Sequence, residues 1–370
     1  MTLCPRAARS RVDRAKLLHD YKVFLLFISL CRQKRIDYAA AMPHAAWIMN
    51  LMPVMSAARK AVGIDIGGTK IAVAAIGEGG SIQRCVTLAT ESATGFPRAI
   101  ERMSKAVETV IAGAGWQRAE VIGIGIGCTG PVDAFGGVIH NPYTLPGWDG
   151  CDILSPLRKR FDMPVFLEND ADAALLGECL AGAGRGRNPV MMLTFGTGVG
   201  GALLLDGRIQ RGLNGEHPEP GHIIVASDGP ECCCGGRGCL EVLTSGPGIA
   251  AAGRALGLPD AKAVFDQARA GNAEAQAIVD RATNAAAVAV WNFCHTFVPQ
   301  RVILGGGIME EHFALFAPVM MQRLRKATEI PHQGMDIVQA ALGNNAGIVG
   351  AASLVFDRVS QVPTGTAAVQ

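Results

Sequence analysis

Apolar positions follow two rhythms along the chain. Short apolar runs at residues 61–66, 70–76, 121–126, 164–167, 190–195, 201–205 and 302–304 read as strands. Between them, residues 96–112, 171–180, 273–297 and 313–326 carry apolar side chains at three-to-four spacing, which reads as helix. Strands alternating with amphipathic helices predict an α/β fold. The pattern begins at Ala61, and the segment before it behaves differently.

Residues 1–60 contain eleven Lys/Arg against three Asp/Glu, a net of +8, and one apolar run at residues 23–31. Nine residues are too few to span a bilayer. The basic residues Arg32, Lys34 and Arg35 follow that run, whereas a secretory signal carries its charges in front. The segment is expected to be an extension outside the fold, or the product of an upstream start with Met55 as the true first residue. A targeting arm or a nucleic-acid-binding segment is the alternative. The rest of the chain carries 23 Lys/Arg against 29 Asp/Glu, a net of −6, which gives no electrostatic reason to expect nucleic acid as a partner. No membrane partner is expected either.

At 370 residues the chain is long enough for two domains, and 46 glycines with only 5% aromatics suit a glycine-rich α/β enzyme. Of eleven cysteines, four crowd into residues 231–239 and seven are scattered without paired spacing. Scattered free thiols point to a reducing, cytoplasmic compartment.

Two segments share one layout about 130 residues apart. Asp65-Ile-Gly-Gly-Thr-Lys70 and Thr194-Phe-Gly-Thr-Gly-Val-Gly-Gly201 each read as strand, glycine turn, strand. This echo predicts two related lobes meeting near Glu168. Gly125 to Gly130 and Gly196 to Gly201 also match G-x-G-x-x-G, but a turn follows the first and a strand the second. A dinucleotide fingerprint needs a helix there, and no G-x-x-x-x-G-K-[ST] occurs, so both common phosphate loops are set aside. Tight glycine turns between strands offer backbone N–H groups to phosphate instead, with Thr69 or Thr197 adding a hydroxyl.

Two further clusters carry chemistry. His222, Cys232, Cys234 and Cys239 have the spacing H-x9-C-x-C-x4-C, which suits one tetrahedral zinc ion; four protein ligands make such a site structural. Three consecutive cysteines leave a choice, and alternate residues on an extended segment favour Cys232 and Cys234 over Cys233. A cluster of free thiols is the alternative. The segment Glu168-Asn-Asp170 lies where a strand ends and a helix begins, the place where open α/β folds put their chemistry. Asp170 there reads equally as a general base or as a helix cap, a role Asn169 also fits.

Together these segments, with Glu219-Pro-Gly-His222 and Cys232-x-Cys-Gly-Gly-Arg-Gly-Cys-Leu-Glu241, resemble the ROK family (repressor, open reading frame, kinase) over about residues 61–355. The resemblance implies an actin-like (ribonuclease H-like) two-lobed sugar kinase fold with an interlobe cleft for ATP and sugar. On that pattern, residues 61–168 form the first lobe and 169–345 a larger second lobe with the zinc loop. A C-terminal helix at 346–358 packs back on the first lobe. Asp170 becomes the base that takes the proton from a sugar hydroxyl, most simply O6 of a hexose. The sugar-binding residues implied are Gly130, Asn169, Asp170, Glu219, His222 and Glu241. ATP is implied at Asp65, Gly67, Gly68, Thr69, Lys70, Gly196, Thr197, Gly198, Gly305, Gly306 and Gly307. Asp65 is expected to hold Mg2+ through water, and the last three glycines to lie against adenosine. A homo-oligomer, dimer or tetramer, is the family's usual assembly.

Glucose is the expected small-molecule substrate, with N-acetylglucosamine, N-acetylmannosamine and fructose as alternatives. Where glucokinase-like members usually have Asn before Leu-Pro, this chain has Thr144, with Asn141 three residues earlier, and one of the two is expected to touch the sugar. A sugar-responsive repressor with an N-terminal winged helix-turn-helix is the other reading. Residues 1–60 are short for that domain and show no clean pair of helices around a glycine turn.

Overall fold

The structure is a computed structural model, and it describes residues 58–361. The expectations for the N-terminal extension fall on residues 1–57 and so lie outside the described residues, apart from its last few positions.

Two five-stranded mixed sheets organise the fold. The first has the order β3-β2-β1-β4-β8, built from β1 (Lys60–Ile66), β2 (Lys70–Gly77), β3 (Ile82–Ala89), β4 (Val121–Cys128) and β8 (Val165–Asn169). Its β1, β2 and β3 run antiparallel in turn, while β4 and β8 are parallel to β1. The second has the order β11-β10-β9-β12-β13, with β9 (Val190–Phe195), β10 (Val199–Leu205), β11 (Arg208–Ile209), β12 (Arg301–Gly305) and β13 (Asp336–Gln339). Here too an antiparallel hairpin, β9 with β10, is followed by parallel strands β12 and β13. The repeated glycine motif in the sequence is thus the turn of the equivalent hairpin in each sheet, the layout of the actin-like α/β fold. Three short strands, β5 (Val132–Asp133), β6 (Val138–Ile139) and β7 (Cys151–Asp152), make a small antiparallel sheet beside the first.

Each sheet is covered on both faces. Val62, Ile64 and Ile66 of β1 are fully buried in one cluster with Met103, Val107 and Val110 of α1 (Phe96–Gly113) and Leu157 and Phe161 of α2 (Leu154–Phe161). In the second sheet, Met191, Leu193, Val302 and Leu304 pack with α5 (Gly246–Gly253), α6 (Ala261–Arg269), the 25-residue α7 (Ala273–Phe297) and α8 (Gly307–Leu324), while α4 (Leu240–Thr244) contributes Leu240. Two helices lie between the sheets. Leu175 of α3 (Asp170–Ala181) joins Met192, Leu204 and Ile303 of the second sheet. Ile348, Val349, Ala352 and Val355 of α9 (Ala346–Gln361) bury against Ala61, Ala74 and Ile76 of the first.

That layer is thin because glycines bring backbones together. A Cβ on Gly125 of β4 would fall on the Ala351 carbonyl of α9, and one on Gly350 of α9 would fall on the Ala173 carbonyl of α3. A closely packed interior has no room for either. The start of α3 is therefore held against the first sheet on one side and the second sheet on the other. Among the described residues, no helix is long and apolar enough to cross a membrane.

Most expected elements are present with shifted ends. The last long amphipathic helix begins at Gly307 rather than at residue 313, since Gly306 in a positive-φ conformation (φ 86) caps it and the glycine run reads locally as loop. The strand expected from residue 201 begins at Val199, because Val199 pairs with Phe195 and the two glycines after it continue the ladder opposite Thr194 and Leu193.

Candidate active site

Everything chemical gathers around the first turn of α3. Asn169 has extended backbone (φ −62, ψ 148), and its side chain accepts from the N–H groups of Ala171 (2.8 Å) and Asp172 (3.4 Å). Asn169 is therefore the cap, and Asp170 is not needed for that job. Asp170 Oδ1 accepts from its neighbour Ala171 N (2.8 Å). Burial raises the Asp170 pKa above the usual carboxylate range; the backbone hydrogen bond and the charge of His217 pull the other way, while Asp172 and Glu219 add to the rise. A carboxyl with raised pKa is a better proton acceptor once ionised.

Gly130 abuts the cap: a Cβ there would stand 2.8 Å from Asn169 Nδ2, so glycine leaves that amide free to donate into the site. The neighbouring loop is tied down by Asn141, which is 1% exposed. Its Nδ2 donates to the carbonyls of Gly130 (2.5 Å) and Thr129 (3.2 Å) and to Thr144 Oγ1 (2.6 Å), and its Oδ1 accepts from Thr144 N (2.9 Å). Asn141 thus spends its amide on the loop. Thr144, which is exposed and packs against the Gly68 turn, keeps its own O–H for another partner.

The two hairpin turns are closed by their own backbones. Gly67 N donates to Lys70 O (2.9 Å) and Gly196 N to Gly198 O (2.9 Å), while Gly246 N donates to Gly196 O (2.8 Å). Gly68, Thr69 and Lys70 are exposed, so a ligand has access to that turn. Gly305 ends β12, and Gly306 backs onto the Phe195 backbone beside the second turn. Gly307 opens α8 with nothing against its Cα face.

Asp65, the next-to-last residue of β1, sits between the buried Ile64 and Ile66 and opposite Gly127 of β4. Burial and the charge of Asp170 push its pKa up to about 6, with Lys70 opposing. Because the folded value lies above the unfolded one, ionising Asp65 destabilises the fold; this penalty is absent below the ordinary value of 3.8 and complete above about 6. Asp65→Asn is therefore expected to stabilise the ligand-free protein at pH 8 by roughly 1–3 kcal/mol, an advantage that disappears near the acid end. Urea titration at both pH values measures it, and equal stability at pH 8 would show that Asp65 ionises without penalty.

The metal-type residues converge. His222, Cys232, Cys234 and Cys239 place one donor atom each within 4.8 Å of one another, with His222 Nδ1 3.5 Å from Cys232 Sγ and Cys234 Sγ 3.6 Å from Cys239 Sγ. Tetrahedral zinc with Zn–S bonds of about 2.3 Å needs sulfurs about 3.8 Å apart, so this set fits the ion. Cys233 is exposed and falls outside that set of four, but it lies at its edge, grouped with His222 and Glu241 within the same 4.8 Å. Cys239 is fully buried and stands at the N-cap of α4, and Glu241 in the first turn accepts from Val199 N (2.9 Å) at the second glycine turn. The Cys/His loop is thereby bonded to the hairpin turn of β9 and β10. Glu219 lies exposed on the same loop, three residues before His222.

Sequence reasoning missed an ionic cluster behind Asp170. Glu168 is 1% exposed and pairs with Arg211, and Arg358 of α9 lies 3.6 Å from its other oxygen. Asp172, fully buried, meets His217 Nδ1 at 3.1 Å and Arg211 at 3.6 Å. These partners are 39 or more residues apart, so no local spacing announces them.

The ROK family profile matches residues 61–358. The glucokinase of Thermotoga maritima is 35% identical over 316 residues, covering 81% of this chain and 98% of that protein. Among solved structures, the ROK hexokinase from Thermus thermophilus superposes with a TM-score of 0.73 at 33% identity, covering 81% of this chain and 99% of that one. A ROK family glucokinase from Streptomyces griseus, solved in complex with glucose and AMPPNP, gives a TM-score of 0.64 at 30% identity over 80% and 99% of the two chains. With the family profile spanning most of its length and relatives this similar matched almost end to end, the chain belongs to the ROK family.

Proposed function

We propose that this protein is an ATP-dependent hexose kinase that phosphorylates the 6-hydroxyl of glucose, with Asp170 as general base. One observation carries the reading. Asn169 performs the capping of α3, so the half-buried carboxylate of Asp170, with its raised pKa and a hydrogen bond to the adjacent Ala171 N–H, is not needed as the cap. Glucose and AMPPNP bind a relative that is 30% identical, and the T. maritima relative is a glucokinase.

In this mechanism Asp170 accepts the O6 proton as that oxygen attacks the γ-phosphorus of ATP, in line with the departing ADP. The Asn169 amide, the Thr144 hydroxyl, Glu219, His222 and Glu241 orient the sugar, with Gly130 keeping the space beside Asn169 open. Backbone N–H groups and threonine hydroxyls at Gly67–Thr69 and Gly196–Gly198 receive the phosphates, with Lys70 beside the first turn, and Gly305–Gly307 admit the adenosine. The carboxylate of Asp65 suits a hard, oxygen-seeking cation beside those phosphates; Mg2+ when bound neutralises phosphate charge. His222, Cys232, Cys234 and Cys239 suit a structural zinc that fixes the sugar loop.

Two lobes, 61–168 with the returning helix 346–358 and 169–345, close on these ligands in this reading. A cytoplasmic homo-oligomer, dimer or tetramer, acting on a small-molecule sugar with no nucleic-acid or membrane partner, fits the free thiols and the charge of the body. A coupled ADP-release assay over glucose, N-acetylglucosamine, N-acetylmannosamine, mannose and fructose tests the substrate. Glucose is expected to give the highest kcat/KM, and a clear preference for an N-acetylhexosamine would overturn that choice.

A further inference from the structure

The cluster behind the base contains a histidine with no role so far. His217 is held through Nδ1 by Asp172 Oδ2 at 3.1 Å, and its side chain is only 10% exposed. Asp172 is fully buried, and its Oδ1 has no hydrogen-bond partner among the described residues. A buried carboxylate with one oxygen unpaired is costly unless cations stand beside it. Arg211 supplies one at 3.6 Å, but it also pairs with the buried Glu168, which Arg358 approaches from α9. Both arginines are engaged by Glu168 and Asp172, while Asp170 and Glu219 add further negative charge nearby, and an imidazolium at position 217 offsets part of it.

Asp172 and Asp170 both lie in the first turn of α3, two residues apart and so on different sides of the helix; His217, on the loop facing that turn, grips Asp172 and is close enough for its charge to act on Asp170 as well. Resting on the kinase reading above, we infer that His217 is a positioning residue for Asp170. Locked in place by buried Asp172, its imidazolium favours the ionised carboxylate that accepts the sugar's proton. The ionisable groups facing it are Asp172 and Asp170 on α3, Glu219 on its own loop, and Arg211, with Glu168 and Arg358 behind them. Burial by itself would make the ring easier to deprotonate; the hydrogen bond to Asp172 and the charges of Asp172, Glu219 and Asp170 outweigh it and hold the proton on.

His217→Asn tests this, because an amide can keep the bond to Asp172 while the charge is lost. Without the cation Asp170 is harder to ionise, so the acid limb of the kcat–pH profile should move up by about half a unit or more, an activity loss of about threefold on that limb. At high pH the wild-type ring has also lost its proton, and the two profiles should converge. A loss that is equal at every pH, or an unmoved limb, would overturn the inference.

A second measurement is independent of turnover. In uniformly labelled full-length protein, the His217 NMR titration, assigned through the backbone signals of residue 217 itself, should move to lower pH by about half a unit or more in Asp170→Asn, because coupling between two sites is reciprocal. An unchanged midpoint would defeat the idea even if His217→Asn failed to fold. Should Asp170→Asn keep its turnover, the base assignment falls instead, so the two failures are distinguishable.

Discussion

Asp170→Asn should fold, bind glucose with nearly unchanged affinity and lose about 10²- to 10⁴-fold in kcat, the usual consequence of removing a general base. Folding is expected to survive because the cap of α3 belongs to Asn169, whose bonds to Ala171 and Asp172 do not involve the substituted side chain. The new amide oxygen can still accept from Ala171 N, as Asp170 Oδ1 does. Burial raises the pKa of Asp170, so removing the charge takes a penalty away, and the melting temperature should stay level or rise. Steady-state kinetics with glucose titration by calorimetry separates the effects. Retention of most turnover ends the assignment of Asp170 as base, and a parallel collapse of glucose affinity would make it a binding group instead.

Removal of the proposed zinc should produce the other large effect, a fall in glucose affinity of about 10- to 100-fold with a smaller change in kcat at saturating sugar. The reason lies in what the loop is tied to. With zinc bound, His222 and the three cysteines would hold the segment that carries Glu219, and Cys239 leads directly into the helix whose Glu241 accepts from Val199 N. Releasing that end loosens groups on the sugar side and the glycine turn together. No proton or phosphate passes through these ligands, so the chemical step itself loses no group. Cys239→Ser should behave like chelated protein, and reloading with zinc should restore only the chelated sample. Normal glucose affinity in protein shown by elemental analysis to lack zinc would contradict this.

How much of this could be read from the chain depends on how local each signal is. The two hairpins were legible because their strands are buried on both faces and their turns need glycine, so apolar runs and Gly spacing coincide at β1–β2 and β9–β10. The edge strand β3 was not, since only Ile82, Val86 and Leu88 turn inward and the exposed residues between them include Gln83, Arg84 and Thr87. The Cys/His set was visible because three of its four ligands lie within eight residues. Whether Asn169 or Asp170 caps α3 was not, as both side chains are able to do it and only backbone angles and bond partners decide. The choice between Asn141 and Thr144 was equally closed to sequence: a buried amide making three donor contacts looks, on paper, like any polar loop residue. Arg211, His217 and Asp172 meet only after the fold has formed, and nothing in their spacing reports it.

The helix that covers Ala61, Ala74 and Ile76 is made from residues 346–361, almost 300 positions after the strands it shields. A ribosome that has produced the first hairpin must therefore complete nearly everything else before that side of the sheet finds its cover. Until then those strands present bare greasy surface, and the nascent polypeptide depends on chaperones or on speed to stay clear of aggregates. Stop codons placed just upstream of Ala346 should accordingly yield insoluble product rather than a shortened, weakened enzyme.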